Sequence, residues 1–437
     1  MKEDNFDIVI VGGGASGIMA GISAKRTNPQ RRVLIVEGSF ALGRKLLISG
    51  AGRGNILNKS LADDDYTKYY HSNNTEVIKN VFNKYGYSQI RTFFEDLGII
   101  LYEEERNSKG KIFPVSEQAR NIVKILEDEL YNLGVEILLN CKCTKILHED
   151  NHFLITIENH KEIKNIYSHK LILATGGMSY PSTGSDGSGF NFLKSFGHNI
   201  VPLVPTAVPL LSKDNFVRET SGIKIKATVT SFIENEFINE VTNDLLFTSY
   251  GVSGTAILEL SRDIVEEFYR NSSAKITLRI NMLPDFSKEK LIERFKKFKN
   301  KKTNINLYGL LPIKIVDIIL KILKIPKDVL SKDLSIEERK VLFDFLYDKK
   351  IFIFGSKGWN EAEFSIGGLN VNEVESQTLE SLIIPNLYVC GEALNVDGDI
   401  GGFNLSWAWA SGYLAGQSAC SILDKKITKI KKFVADQ

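Results

Sequence analysis

The sequence predicts an α/β protein: a three-layer domain built on a parallel sheet with a β-hairpin or meander, interrupted by an inserted β-rich domain that carries a helical subdomain. Three observations predict it. Asp7-Ile8-Val9-Ile10-Val11 is a β-branched run, followed at once by Gly12-Gly13-Gly14-Ala15-Ser16-Gly17 and a helix-forming stretch through Ala20 and Ala24. A second apolar run, Val33 to Val36, ends in Glu37. After a lysine-rich middle, the chain returns at Pro385 to Cys390 to a strand, a glycine-rich loop and a helix of small residues.

The first stretch reads as strand, tight turn and helix, the Rossmann-like arrangement. Gly12 lets the chain turn, Gly14 lets the backbone approach a pyrophosphate, and Gly17 lets the helix pack on the strand, with the helix N-terminus aimed at the phosphates. Ala15 and Ser16 occupy its first turn. Glu37 stands 20 residues after Gly17, the spacing that brings a carboxylate to the ribose hydroxyls, and its charge repels a 2′-phosphate. The expected ligand is FAD or NAD, not NADP.

Length and composition bound the rest. A chain of 437 residues is too long for one ordinary core and suggests two or three domains. With 43% hydrophobic and 25% charged residues it reads as a soluble globular protein. The near balance of 55 basic and 53 acidic side chains supplies no field to recruit nucleic acid or an anionic membrane. Met1-Lys2-Glu3-Asp4 runs directly into the first strand, without an apolar segment for export. Cys141, Cys143, Cys390 and Cys420 are too scattered for a disulfide framework, so a cytoplasmic setting is expected. His71, His148, His152, His160, His169 and His198 show no metal spacing, and no metal is expected.

Further along, Gly43 to Asn58, with Gly43-Arg44-Lys45 and Ser49-Gly50-Ala51-Gly52-Arg53-Gly54-Asn55 within it, reads as a loop able to wrap an extended polar ligand with backbone amides. Thr75 to Leu97 and Ser116 to Leu133 read as amphipathic helices, the second capped by Ser116, with Gly134 just past its end. Val135 to Leu139 reads as a strand, and the segments around Lys145 to His148 and Phe153 to Ile157 as an antiparallel hairpin. Leu171-Ile172-Leu173 is a buried strand ending in Ala174-Thr175-Gly176-Gly177, a turn suited to close approach of a ligand.

In the middle, Lys224 to Ile233 pairs by its alternation with Phe237 to Val241, and Ile276 to Ile280 and Ile351 to Phe354 supply further strands. Ser287 to Phe298, Leu310 to Leu323 and Ser335 to Tyr347 show helical spacing with lysines opposite. The expected domains are 1–191 with 359–437, an insert of 192–283 with 349–358, and a helical subdomain of 284–348. Near the C-terminus, Gly391-Glu392 forms a turn, Asp397 to Gly402 a ligand loop, and Phe403, Asn404 and Leu405 open a helix whose positive end suits a flavin pyrimidine.

The segments GGGASG, GRKLLISGAGRGN and GEALNVDGDIGGFNLSWAWASG, with Phe113-Pro114-Val115-Ser116, Ser179-Tyr180-Pro181, Leu246-Phe247-Thr248 and Gly367-Gly368 between them, resemble the BaiN/RdsA-type FAD-dependent oxidoreductases, a branch of the glutathione-reductase-like flavoprotein fold. Three positions depart from the pattern: Gly54 stands where the family typically has cysteine, Ser249 where it has histidine and Thr255 where it has proline. The resemblance implies non-covalent FAD and hydride exchange with a small organic substrate, by C=C reduction or desaturation or by amine oxidation. It places Cys143, Thr144 and Lys145 beside the adenine, and FAD against Gly43, Arg44, Lys45, Ser49, Gly50, Gly52, Arg53, Asn55, Ala174, Thr175, Gly176, Gly391, Glu392, Asp399, Gly402, Phe403, Asn404 and Leu405. Related folds include flavin-dependent RNA-modifying enzymes, the alternative reading. No second strand-linked glycine fingerprint serves a nicotinamide, so NADH or NADPH as donor, or O2 as acceptor, stays open, as does the oligomeric state. Tyr180 and Tyr250 are the candidate pocket-lining catalytic side chains, each a phenol able to donate a proton or orient a carbonyl.

Overall fold

The structure, a computed structural model, describes residues 5–104, 109–149, 151–159 and 162–435, with side chains to residue 420. Met1 to Asp4 and His160, which entered the expectations above, lie outside the described residues. The chain divides into two compact units, 1–203 with 364–437, and 204–363. Each has its own hydrophobic cluster.

In the first unit, Asn5–Val11 runs parallel to both Val33–Val36 and Ile163–Leu173, with Val11 opposite Val36 and Leu173. Glu136–Leu138 joins outside Val33–Val36, and Leu387–Val389 outside Leu173, all parallel. Ile8, Val9 and Ile10 are fully buried, as expected of a parallel strand covered on both faces. Five strands therefore end along one edge, where open α/β sheets bind ligands. Ile163–Leu173 reaches well before Leu171 because residues 163–168 also pair antiparallel with His152–Glu158, which forms the expected hairpin with Lys142–Glu149.

The first helix, Ala15–Thr27, lies directly on the C-terminal helix, Phe403–Ala435. A Cβ at Gly412 would stand 2.3 Å from the Ser16 carbonyl oxygen and one at Gly416 2.2 Å from that of Ala20. Backbone meets backbone there. No side chain larger than hydrogen fits.

Three local expectations need correction. Thr75 to Leu97 is two helices, Thr75–Lys84 and Tyr87–Asp96, broken at Gly86, whose backbone is extended and whose N–H donates to Gln89 Oε1 at 3.1 Å. Ser116 caps nothing: the helix is Ala119–Asn132 with Gln118 at its N-cap, because the chain leaving the strand Lys111–Pro114 first makes a turn closed by Glu117 N–H on the Pro114 carbonyl. Arg44 to Ile48 is helical, not loop, and Ser49–Gly52 forms a tight turn through the left-handed Gly50 and Ala51.

In the second unit, a seven-stranded sheet runs in the order Lys349–Ile353, Ile276–Asn281, Lys224–Ile233, Glu236–Phe247, Gly251–Ser253, Leu210–Leu211, Gly355–Ser356. Its first and last strands are neighbours in the chain, so the sheet curls until its ends meet. There Phe354 N–H donates to the Leu211 carbonyl and Ser212 Oγ to that of Phe352. Glu236–Phe247 continues six residues past Val241 because Thr242 to Leu246 pair with Thr228 back to Lys224. Helix Thr255–Arg270, absent from the expectations, buries Ala256, Ile257, Leu260 and Ile264. The helices Lys288–Lys297, Thr303–Tyr308, Ile313–Ile322 and Ile336–Tyr347 send Leu291, Ile315, Ile319 and Leu342 into the same cluster as Val229, Leu278 and Ile351 of the sheet. Among the described residues no helix is long and apolar enough to cross a membrane.

Candidate functional site

The crevice at the carboxyl edge of the first sheet is built from the glycine turn. Gly12 sits so close to the next strand that a Cβ would meet the Ala174 carbonyl oxygen at 2.3 Å. Gly14 is different: a Cβ there meets nothing within 4 Å. It is also the N-cap of the first helix. No side chain caps the first amides of the helix, and the space beside Gly14 is open, as a diphosphate requires.

Glu37 is held in place before any ligand arrives. Its Oε2 accepts the Gly13 N–H and its Oε1 the Ser39 N–H, each at 2.7 Å. Asn140 and Cys141 donate their N–H groups to the carbonyls of Ser39 and Glu37 at 2.8 and 3.0 Å, so the strand bearing Cys143 and Thr144 starts beside the carboxylate. Thr144 is exposed at a bulge, while Cys143 is buried. Burial pushes the Cys143 thiol up to about 12, so it stays protonated and acts by shape, not as a nucleophile.

Gly43 N–H donates to the Gly13 carbonyl at 2.8 Å, which ties the helix Arg44–Ile48 to the fingerprint. Arg44 lies over the Phe40 ring at 4.8 Å. Ser49 Oγ donates to the Leu46 carbonyl inside its own turn. Arg53 is engaged by Glu104 at 2.8 Å and stacks on Phe113 at 4.2 Å; its hydrogen bond to Glu104 holds its pKa above the ordinary value. Asn55 is buried, and its Oδ1 has no hydrogen-bond partner; it stands 3.0 Å from where a Cβ of Gly402 would lie.

Lys45 reaches the opposite wall. Its Nζ donates to Glu392 Oε2 at 2.5 Å and to Ser179 Oγ. Glu392 Oε1 accepts from Ser365 N–H at 2.8 Å and Ser179 Oγ at 3.1 Å. Burial pushes the Glu392 carboxyl up, but the Lys45 ammonium and the Ser365 N–H outweigh it, and the net shift is downward. Gly391 packs on Ser16 of the first helix, with Trp407 Nε1–H on its carbonyl and its own N–H on Ser411 Oγ. Asn404 closes the loop before it, accepting Gly398 N–H and donating to the Gly398 carbonyl. Phe403 stacks on Tyr69 with centroids 4.7 Å apart, Asp399 pairs with His71 at 3.1 Å, and Leu405 packs against the core.

Residues 174–176 curve under the fingerprint, Ala174 buried, Thr175 against Gly189 and Gly176 left-handed. Tyr180, at φ 49°, is also left-handed, a conformation that costs a non-glycine residue on the order of 1 kcal/mol or more. It belongs to the first unit. Tyr250 belongs to the second, where Lys357 Nζ lies 4.5 Å above its ring. Ser179 and Ser365 were not among the expected site residues. Ser179 was legible as part of Ser-Tyr-Pro; Ser365 carries no local signal, since a strand delivers it. His198, whose ring bonds Glu373 and Ser381 at 2.8 Å each, is a buried strut.

A family model described as the HI0933-like protein Rossmann domain matches residues 6–418. The chain belongs to that family. It is 32% identical over 416 residues to the 3-dehydro-bile acid delta(4,6)-reductase of Clostridium scindens, covering 94% of this chain and 98% of that protein. It is 29% identical over 418 residues to the ribosomal RNA dihydrouridine synthase of Escherichia coli, covering 95% and 98%. Among solved structures, the 3-ketosteroid delta1-dehydrogenase of Sterolibacterium denitrificans matches with a TM-score of 0.52 at 12% identity, over 96% of this chain and all of that one, which shows the shared fold. By family and fold the protein is an oxidoreductase of the flavoprotein type, and the crevice suits FAD: open at Gly14, uncapped at the helix, acidic at Glu37.

Proposed function

We propose that the protein is an FAD-dependent reductase that saturates a C=C bond conjugated with a carbonyl group in a small organic substrate. The observation that supports this most is a shared bond change. The two full-length relatives named above act on different molecules, yet a delta(4,6)-reductase and a dihydrouridine synthase both add a hydride and a proton across such a bond. FAD, when bound, supplies the hydride; NADH or NADPH would replenish the electrons.

The chain's own residues do the rest. The N-terminal amides of the first helix, with Gly14, hold the diphosphate, and Glu37 holds the ribose. Lys45, Glu392, Asn55 and the loop to Asn404 surround the flavin end. Tyr180 and Tyr250 are the candidate donors for the proton that accompanies the hydride, a contribution of roughly a hundredfold or more in rate. The test is anaerobic: reduce the purified protein with NADH or NADPH, then add a 4-en-3-one steroid, a uridine oligonucleotide or air. Reoxidation by the enone ahead of the oligonucleotide and of O2 is expected. Reoxidation by O2 alone overturns the reductase reading.

One surface favours a second reading, an RNA-modifying enzyme. Phe352 and Phe354 are 72% and 53% exposed on the second unit. Lys213 lies 5.1 Å from the Phe354 ring, Lys350 is exposed beside them, and Tyr250 carries Lys357. Exposed rings interleaved with lysines are how single-stranded nucleic acids are held. Preferential reoxidation by the oligonucleotide would select this reading.

A further inference from the structure

The Lys45–Glu392 pair is anchored at both ends by the same segments that form the glycine fingerprint. Lys45 lies two residues beyond Gly43, whose N–H is bonded to the Gly13 carbonyl. Glu392 follows Gly391, where a Cβ would stand 2.4 Å from Ser16 Oγ. The pair is held rigidly: Ser179 Oγ bridges ammonium and carboxylate, Ser365 N–H occupies Glu392 Oε1, and Ser365 Oγ is itself fixed by Met178 N–H at 2.9 Å. Four chain segments converge on one ion pair.

We propose that Lys45 and Glu392 form a compensated charge pair beside the bound flavin, in which each side chain cancels the shift that the other alone would impose on the reduction potential. The inference rests on the FAD reading above. The two side chains are 28% and 20% exposed, so they border open space, while their burial leaves their fields only partly screened by water. Flavin reduction gathers negative charge, which a nearby cation favours and a nearby anion opposes. Held together, the two charges largely cancel. Removing either one uncovers the other, and the two removals must then act with opposite signs. A mere strut between segments has no such signature, because losing either end would loosen the fold alike.

The experiment uses the FAD-loaded protein and measures its two-electron potential by dye equilibration, beside its thermal unfolding. Lys45→Met is expected to lower the equilibrium constant for flavin reduction about tenfold and Glu392→Gln to raise it by a similar factor; tenfold is about 30 mV for a two-electron couple. The double variant should return to within threefold of the parent, and Lys45→Arg, which keeps the charge, should match the parent. Should Glu392→Gln lose FAD on purification, Glu392→Asp replaces it and should leave the potential near the parental value, with Lys45→Met still lowered. Shifts of the same sign, or unmoved potentials beside lowered unfolding temperatures, overturn the proposal and leave the pair a strut. Failure of the parent protein to bind FAD overturns the underlying reading instead.

Discussion

Glu37 holds the glycine turn and, in the proposed reading, also the ribose with the same carboxylate, and Glu37→Gln and Glu37→Ala separate the two roles. In the protein it accepts N–H groups from Gly13 and Ser39, both at 2.7 Å. Hydrogen bonds to a charged group contribute about 1.5 to 3 kcal/mol each. Alanine removes both; discounted for the partial exposure of Glu37, the folded state should lose about 2 to 4 kcal/mol. Glutamine keeps one acceptor oxygen and should lose about half of that. The proposed ribose contact should add a separate loss of about 1.5 to 3 kcal/mol in FAD affinity, a weakening of roughly ten- to a hundred-and-fifty-fold. Unfolding of the flavin-free protein reads the first term, and quenching of flavin fluorescence on titration reads the second. If FAD affinity stays within twofold in both variants while stability falls, Glu37 serves the turn alone and the ribose assignment is wrong.

Other perturbations follow from single contacts. Gly412→Ala forces a methyl group into the Ser16 carbonyl at 2.3 Å and should destabilise by about 3 kcal/mol, the upper range for overpacking, since the obstacle is backbone; Gly358→Ala, with open space around it, is the control and should leave the unfolding temperature unchanged. Ala51→Gly relieves a left-handed φ of 59°, so the strain of about 1 to 2 kcal/mol it removes should outweigh the added unfolded-state entropy of about 0.5 to 1 kcal/mol, and a lower unfolding temperature would show the turn is unstrained. Burial raises the Glu373 carboxyl, but hydrogen bonds from Asn199 and His198 bring it below its ordinary value. A depressed carboxylate contributes stability above its unfolded pKa and loses it as pH falls through the folded one. Glu373→Gln should therefore flatten the fall of stability below about pH 4.5, and an unchanged acid limb in pH-dependent unfolding would refute this. Tyr180→Phe and Tyr250→Phe should slow flavin reoxidation by an enone without altering photoreduction or FAD affinity; if reoxidation is also unchanged, neither phenol supplies the proton.

The sequence by itself determined what depends on short range. The strand, glycine turn and helix of residues 7–24, the carboxylate at Glu37 and the small-residue face of the C-terminal helix are each written within one helix or turn, because steric permission at glycine and apolar periodicity act between near neighbours. So were most strands of the insert. Tertiary structure alone decided what depends on separate segments meeting. Nothing near Ser365 marks it as a partner of Glu392; a strand delivers it there. Ile163–Leu173 outruns its buried end because a hairpin earlier in the chain lends its first half a partner. Arg53 looked free to meet a ligand, and Glu104, a strand away, engages it. The helices within residues 284–348 share one core with the curled sheet, since the apolar faces of both have the same space to fill. Pairing of distant groups is settled by which surfaces can be buried together, and no local pattern records that choice.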